Sequence, residues 1–152
     1  MVPVYPAGVL ETHGHVVVIN DDSLREFGFD PLLDKVTVTA EASSLDLFMR
    51  ELEKVEKYPY MCNEQMASKL KALLLKRRVS AMFGIDFRED KKIEKFIRDL
   101  NKNRNGENLW GWWNRSDTEL WISTQVVEAM LMAEQDGFRT DLDKAALADR
   151  LI

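Results

Sequence analysis

From Ser43 onward the apolar residues of this chain recur with a period near 3.6, and that spacing commits most of its length to amphipathic helices. Leu45, Phe48, Met49, Leu52 and Val55 share one helical face, with Ser43 and Asp46 spaced as a capping box. Pro59 predicts the end of that helix, because the residue before a proline is pushed out of the α region. A second stripe runs through Met66, Leu70, Leu73 and Leu74 and is expected to close on Lys76-Arg77-Arg78, cations suited to a helix C-terminus. A third holds Ile93, Phe96, Ile97 and Leu100, followed by a polar turn over residues 101–108. Ile122, Val126, Ala129, Met130 and Ala133 form a fourth, with Ser116 and Glu119 as its capping box and Gly137 as its stop. Thr140 and Asp143 open a fifth helix that runs toward Ile152. The spacing predicts a mainly α chain of antiparallel helical hairpins.

Residues 1–42 differ in character. Residues 16–19 are β-branched throughout and residues 36–40 alternate apolar with polar, so both are expected to be strands. Asn20-Asp21-Asp22-Ser23 and Phe27-Gly28-Phe29-Asp30-Pro31 between them are loop and turn material. The predicted organisation is therefore a short β segment, 1–42, followed by a helical part, 43–152. Two strands alone are marginal in water, so this segment should lean on the rest of the chain or on a partner sheet.

Composition narrows the function. With 21 Lys and Arg against 26 Asp and Glu, the net charge is −5, which gives no reason to expect nucleic acid as a partner. No apolar run approaches the roughly 18 residues that span a bilayer. Met1-Val2-Pro3-Val4-Tyr5-Pro6 lacks the basic and apolar regions of a signal peptide and suggests a piece of a longer protein. One cysteine excludes an intramolecular disulfide. His13 and His15 share one face of an extended segment, but no third ligand is near in sequence, so no metal or other cofactor is expected.

The chemistry concentrates in Tyr58-Pro59-Tyr60-Met61-Cys62-Asn63-Glu64-Gln65. If Cys62 caps the helix that follows, Gln65 is its third helical residue, whose side chain reaches back toward the cap. A thiol there sits in the positive field of the helix N-terminus, which favours thiolate. Attack on the Gln65 carboxamide with loss of ammonia gives an internal thioester, a stored electrophile for an outside amine or hydroxyl. Such a bond survives only where water is excluded. Tyr58, Tyr60, Met61 and the tryptophans Trp110, Trp112, Trp113 and Trp121 are candidate shielding residues. The same tryptophans also suit a core where hairpins meet, or a ligand platform.

The run from Tyr58 to Gln65 resembles the thioester motif of the alpha-2-macroglobulin and complement family, Cys-x-Glu-Gln preceded by a Pro-Tyr element, with wording closer to bacterial members. Residues 66–78 are similar to the helix that follows the motif. The stretch from Leu109-Trp110-Gly111-Trp112-Trp113 to Gly137-Phe138 looks like the Gly/Trp-rich turn and long helix of a later hairpin. The resemblance implies that Cys62 is the thioester thiol, Gln65 the acyl donor and Glu64 the intervening acid. Asn63 stands where complement proteins have glycine, which removes some backbone freedom. The implied fold is part of an α/α toroid of helical hairpins behind the end of a CUB-like β-domain. The implied parent is a bacterial protease-trapping protein of the cell envelope, periplasmic or extracellular. Its partners are the proteases it captures, and each bond is spent once, without enzymatic turnover. In the 152 residues alone the expectation is a free cysteine, with apolar helix faces that favour self-association.

Two other readings use the same residues. In one, the chain is a helical interaction module whose Cys62 and Gln65 never react. In the other, His13 or His15 serves as general base for Cys62 in a cysteine hydrolase, although nothing local pairs them.

Overall fold

The structure, a computed structural model, describes residues 13–19, 22, 24–32, 35–40 and 43–151. The expectations placed on residues 1–12, on Asn20, Asp21 and Ser23, and on Ile152 lie outside the described residues. The chain divides at Thr39/Ala40 into two compact units, slightly ahead of the predicted change at position 42.

No strand forms among the described residues of the first unit, so the segments expected as strands, 16–19 and 36–40, carry none. Val16, Val18 and Val38 are 87%, 74% and 79% exposed. β-Branched composition expresses a fit to a pleated, half-buried surface, and these segments have no buried face to supply one. The local order described here is an Asx turn, in which the Leu32 backbone N–H donates to Asp30 Oδ1 at 2.9 Å.

The second unit is helical: α1 (Ser44–Lys57), α2 (Asn63–Met82), α3 (Asp90–Lys102), α4 (Leu120–Gln135) and α5 (Lys144–Leu151). α2 packs against α1, α3 and α4. With neighbours on several sides it buries residues around its circumference, Met66, Ala67, Leu70, Ala72, Leu73 and Leu74 among them. The predicted stripes of α3 and α4 are buried in full. α1 buries only Leu52 of its stripe and leaves Phe48 and Val55 exposed.

Cross-links between helix ends fix the directions. Asn103 Nδ2, just past α3, donates to Asn63 Oδ1 at the start of α2. Lys76 Nζ in the second half of α2 donates to Glu89 Oε1, just ahead of α3, at 2.6 Å. These two helices are therefore antiparallel. Arg78 Nε in α2 donates to Asp136 Oδ1, just past α4, at 2.8 Å, while the Asn63 backbone N–H reaches the Trp112 carbonyl ahead of α4. α2 and α4 consequently run side by side in one direction, with α3 opposed to both.

Helix ends follow local chemistry with three departures from expectation. Tyr58, before Pro59, ends α1 at φ −56° and ψ 132°. Gly137 ends α4 at φ +91°, where its N–H and that of Phe138 bond the Glu134 and Ala133 carbonyls in a Schellman motif. α2, however, runs past Lys76-Arg77-Arg78 to Met82 and stops at Gly84, φ +66°, with the same pattern of bonds. The three cations make cross-helix bonds to Glu89, Asp90 and Asp136, because positive charge favours a helix end but does not terminate a helix. Neither predicted capping box forms. Ser43 Oγ bonds the Asp46 side chain at 3.4 Å, and the cap of α4 is Glu119, while Ser116 Oγ turns back to Trp113. The fifth helix does start where expected, with Asp143 Oδ1 accepting the Ala146 N–H at 3.1 Å.

Candidate functional site

Cys62 is the N-cap residue of α2, with extended backbone (φ −69°, ψ 167°), and is 6% exposed. Pro59 holds the preceding turn in place, and Tyr58 and Tyr60 face each other across it with ring centroids 5.4 Å apart. Gln65 occupies the third helical position, as the spacing predicts, but the reciprocal capping interaction is absent. Cys62 makes no side-chain cap hydrogen bond, and Gln65 Nε2 donates to Glu64 Oε2 at 2.6 Å. Glu64 is itself held by Ser68 Oγ, which donates to Oε1 at 3.0 Å. The Gln65 amide nitrogen is thus held by the neighbouring carboxylate in a charge-assisted hydrogen bond.

The residue that binds this helix start to the rest of the unit is Asn63, fully buried. Its Nδ2 donates to the Gly111 carbonyl at 2.9 Å and to the Trp113 carbonyl at 3.1 Å. Its backbone N–H donates to the Trp112 carbonyl at 2.9 Å, and its Oδ1 accepts from Asn103 Nδ2 at 2.7 Å. Three successive carbonyls thus take donors from one asparagine. They also occupy orphan donor space at the helix N-terminus, next to Cys62.

Those carbonyls are presented by a tightly bonded turn between α3 and α4. Asn105 accepts the backbone N–H groups of Glu107 and Leu109 and donates to the Ser116 carbonyl and Thr118 Oγ1. Trp110 is fully buried. Its Nε1 donates to the Leu100 carbonyl at 2.8 Å, and its backbone N–H and C=O both bond Ser123 Oγ. Arg104 lies over its ring at 5.2 Å. Gly111 sits where a Cβ would fall 1.9 Å from the Asp117 carbonyl oxygen, so only glycine fits.

The four tryptophans sit in different surroundings. Trp110 is core. Trp112 and Trp121 stack edge-on at 5.2 Å and remain half-exposed, and Trp113 is 60% exposed. Tyr58, Tyr60 and Met61 are also exposed.

Lys69, which the sequence pattern did not single out, is only 4% exposed. Its Nζ donates to the Tyr58 carbonyl and to Met61 Sδ, the latter at 3.3 Å. Burial pushes this ammonium below its ordinary value, helped by the charge of Lys92 and opposed by Glu56 and Cys62. Glu56, with a side chain 7% exposed, is itself engaged by Lys92 and, at 3.7 Å, by Lys76. His13 and His15 belong to the first unit. Among the described residues no three His, Cys, Asp or Glu side chains gather as metal ligands, and no helix is long and apolar enough to cross a membrane.

No protein-family model, no curated protein and no solved structure matches this chain.

Proposed function

We propose that this chain carries the thioester region of an alpha-2-macroglobulin-like protein that traps proteases covalently. The observation that supports the reading best is the placement of Cys62, a buried thiol at a helix cap, with Gln65 in the first turn of the same helix. In the proposed reaction the Cys62 sulfur attacks the Gln65 carboxamide carbon. The C–N bond breaks, and ammonia leaves with the thiol proton. Glu64 orients the amide nitrogen before it departs. An incoming lysine amine then attacks the acyl carbon, the C–S bond breaks, and Cys62 recovers a proton while the captured protein stays bound through Gln65.

In this proposal the helices form part of an α/α toroid, residues 1–42 come from a neighbouring β-domain, and the intact protein works in the cell envelope. It inhibits stoichiometrically, without turnover. The competing view, an interaction module with an inert Cys/Gln pair, draws support from the Gln65 amide being bonded to Glu64 rather than turned to the thiol. Intact-mass measurement on the full-length, freshly purified protein separates them. The thioester predicts a mass lower by one ammonia, a thiol that resists alkylation, and a methylamine adduct after treatment. A full mass with an alkylatable thiol would sink the trapping mechanism.

A further inference from the structure

We propose that the cavity between helix α5 and the turn joining α3 to α4 is a binding site for a small oxyanion, a carboxylate or a phosphate, held by Arg104 and Arg150. The site is separate from Cys62 and does not rest on the thioester reading. The cavity is partly enclosed, has a volume of about 60 Å³, and is lined by the two arginines, by Glu107 and Asp143, and by the apolar Ala146 and Leu147. One water needs roughly 10–15 Å³, so the space fits a group of a few heavy atoms.

The arginines reach this cavity from different parts of the chain. Arg104 lies over the Trp110 ring, and both of its hydrogen bonds come from Nη2, to Asn101 Oδ1 at 2.5 Å and to the Asp141 carbonyl at 3.0 Å. Its Nε is buried without a partner, and its Nη1 donates to nothing among the described residues. Burial pushes this guanidinium below its ordinary value, opposed by the charge of Asp141. Arg150, in the last turn of α5, uses Nη1 on the Glu107 carbonyl at 2.6 Å and has no other bond among the described residues. All three acceptors are neutral oxygens. Glu107 and Asp143 share the cavity wall, yet neither forms an ion pair with these arginines. Glu107 Oε2 takes the Thr118 hydroxyl at 2.5 Å, and Asp143 Oδ1 takes the Ala146 N–H at 3.1 Å. Two guanidinium groups with unused donors thus border one small space. The planar arginine fork matches the oxygens of a carboxylate or a phosphate, and a bound oxyanion would accept from Arg104 Nη1 and Arg150 together. It would tie α5 to the turn that carries Trp110. The charges of Glu107 and Asp143 oppose any anion, which sets the expected affinity at a modest level, a Kd of about 1 mM.

The test titrates the full chain with inorganic phosphate and, separately, with acetate, at constant ionic strength made up with chloride. Calorimetry reads the affinity, and the melting temperature should rise with the anion that binds while chloride leaves it unchanged. Whichever of the two binds more tightly assigns the site to phosphates or to carboxylates. Arg150→Met, at an exposed position, should weaken binding about tenfold, the size of one charge-assisted hydrogen bond. Arg104→Lys keeps the charge, loses the fork and should weaken it by a similar factor. Arg98→Met, an α3 arginine paired with Glu94, should leave the affinity at its wild-type value. If neither phosphate nor acetate binds better than chloride, the proposal is overturned. A wild-type affinity in Arg150→Met with wild-type helix content overturns it equally. Should Arg104→Lys not fold, the surface substitution at Arg150 decides alone.

Discussion

Asn63, the first residue of α2, donates its side-chain amide to the Gly111 carbonyl at 2.9 Å across 48 positions of sequence. This bond joins the helix that begins at Cys62 to the turn between α3 and α4. The Trp113, Trp112 and Asn103 bonds to the same residue leave it with no idle hydrogen-bonding group on its side chain.

Asn63→Ala removes three side-chain hydrogen bonds and strands the Gly111 carbonyl, so it should cost about 2–4 kcal/mol. Asn63→Asp should be no better, because a carboxylate would face the Gly111 and Trp113 carbonyls with no proton to offer. Chemical denaturation measures both. An Asp variant as stable as wild type would refute the role assigned to Nδ2.

Gly111→Ala should destabilise by about 3 kcal/mol, since its Cβ would lie 1.9 Å from the Asp117 carbonyl oxygen and 2.4 Å from Ser116 Oγ. Backbone must move to relieve the first contact, and the carbonyls of residues 111–113 move with it. Native-state alkylation of Cys62 should therefore accelerate in this variant. Gly106→Ala, with nothing within 4 Å of the added Cβ, is the control and should change neither quantity.

α3 and α4 were legible because each has one face to bury: every apolar position named for them is buried. Stops were legible where backbone chemistry enforces them, at Pro59 and Gly137. Lys76-Arg77-Arg78 misled because charge biases a helix end without making one, and residues 79–82 still favour the helix. At the site, Cys62 and Gln65 could be placed from spacing alone. Asn63 and Lys69 could not, because their roles depend on partners 40 to 50 residues away or on which side of α2 is covered. The available hint was a polar residue at the first position of a helix facing a Gly/Trp turn elsewhere in the chain. The expected strands failed for a related reason, as propensity is local and pairing is not.

Ser123 makes a sharper test of the turn than any tryptophan substitution, because it changes few atoms. Its hydroxyl accepts the Trp110 N–H at 2.9 Å and donates to the Trp110 carbonyl at 2.8 Å, all within the core. Ser123→Ala should cost about 1–3 kcal/mol by leaving the buried Trp110 N–H without a partner, while the Trp110 carbonyl keeps the Glu119 N–H. The neighbouring Thr124→Ala removes only an exposed bond to the Leu120 carbonyl and should stay within about 0.5 kcal/mol of wild type. Equal effects of the two substitutions would show that the Ser123–Trp110 pair is not what holds the turn.

The pH dependence of stability should be set at its acid end by Glu89 and Glu134. Burial pushes Glu89 up, but the Lys76 hydrogen bond and the charges of Lys76 and Lys92 outweigh it and hold the carboxyl below its ordinary 4.5. Glu134 is held below 4.5 by hydrogen bonds from Lys144 and Thr140. A carboxyl depressed in the folded state binds protons more readily when unfolded. Its contribution is therefore complete above 4.5 and is lost as pH falls through the folded value. Lys92 has the opposite sign: its hydrogen bond to Glu56 raises it above 10.5, so its contribution is complete below 10.5 and is lost as pH rises through the folded value. Thermal melts should accordingly show a plateau between these limits, with an acid limb that weakens in molar salt. Glu89→Gln should lower the plateau and flatten the acid limb, with less proton uptake on acid unfolding than in wild type. If proton uptake in Glu89→Gln equals that of wild type, Glu89 is not a source of the acid limb.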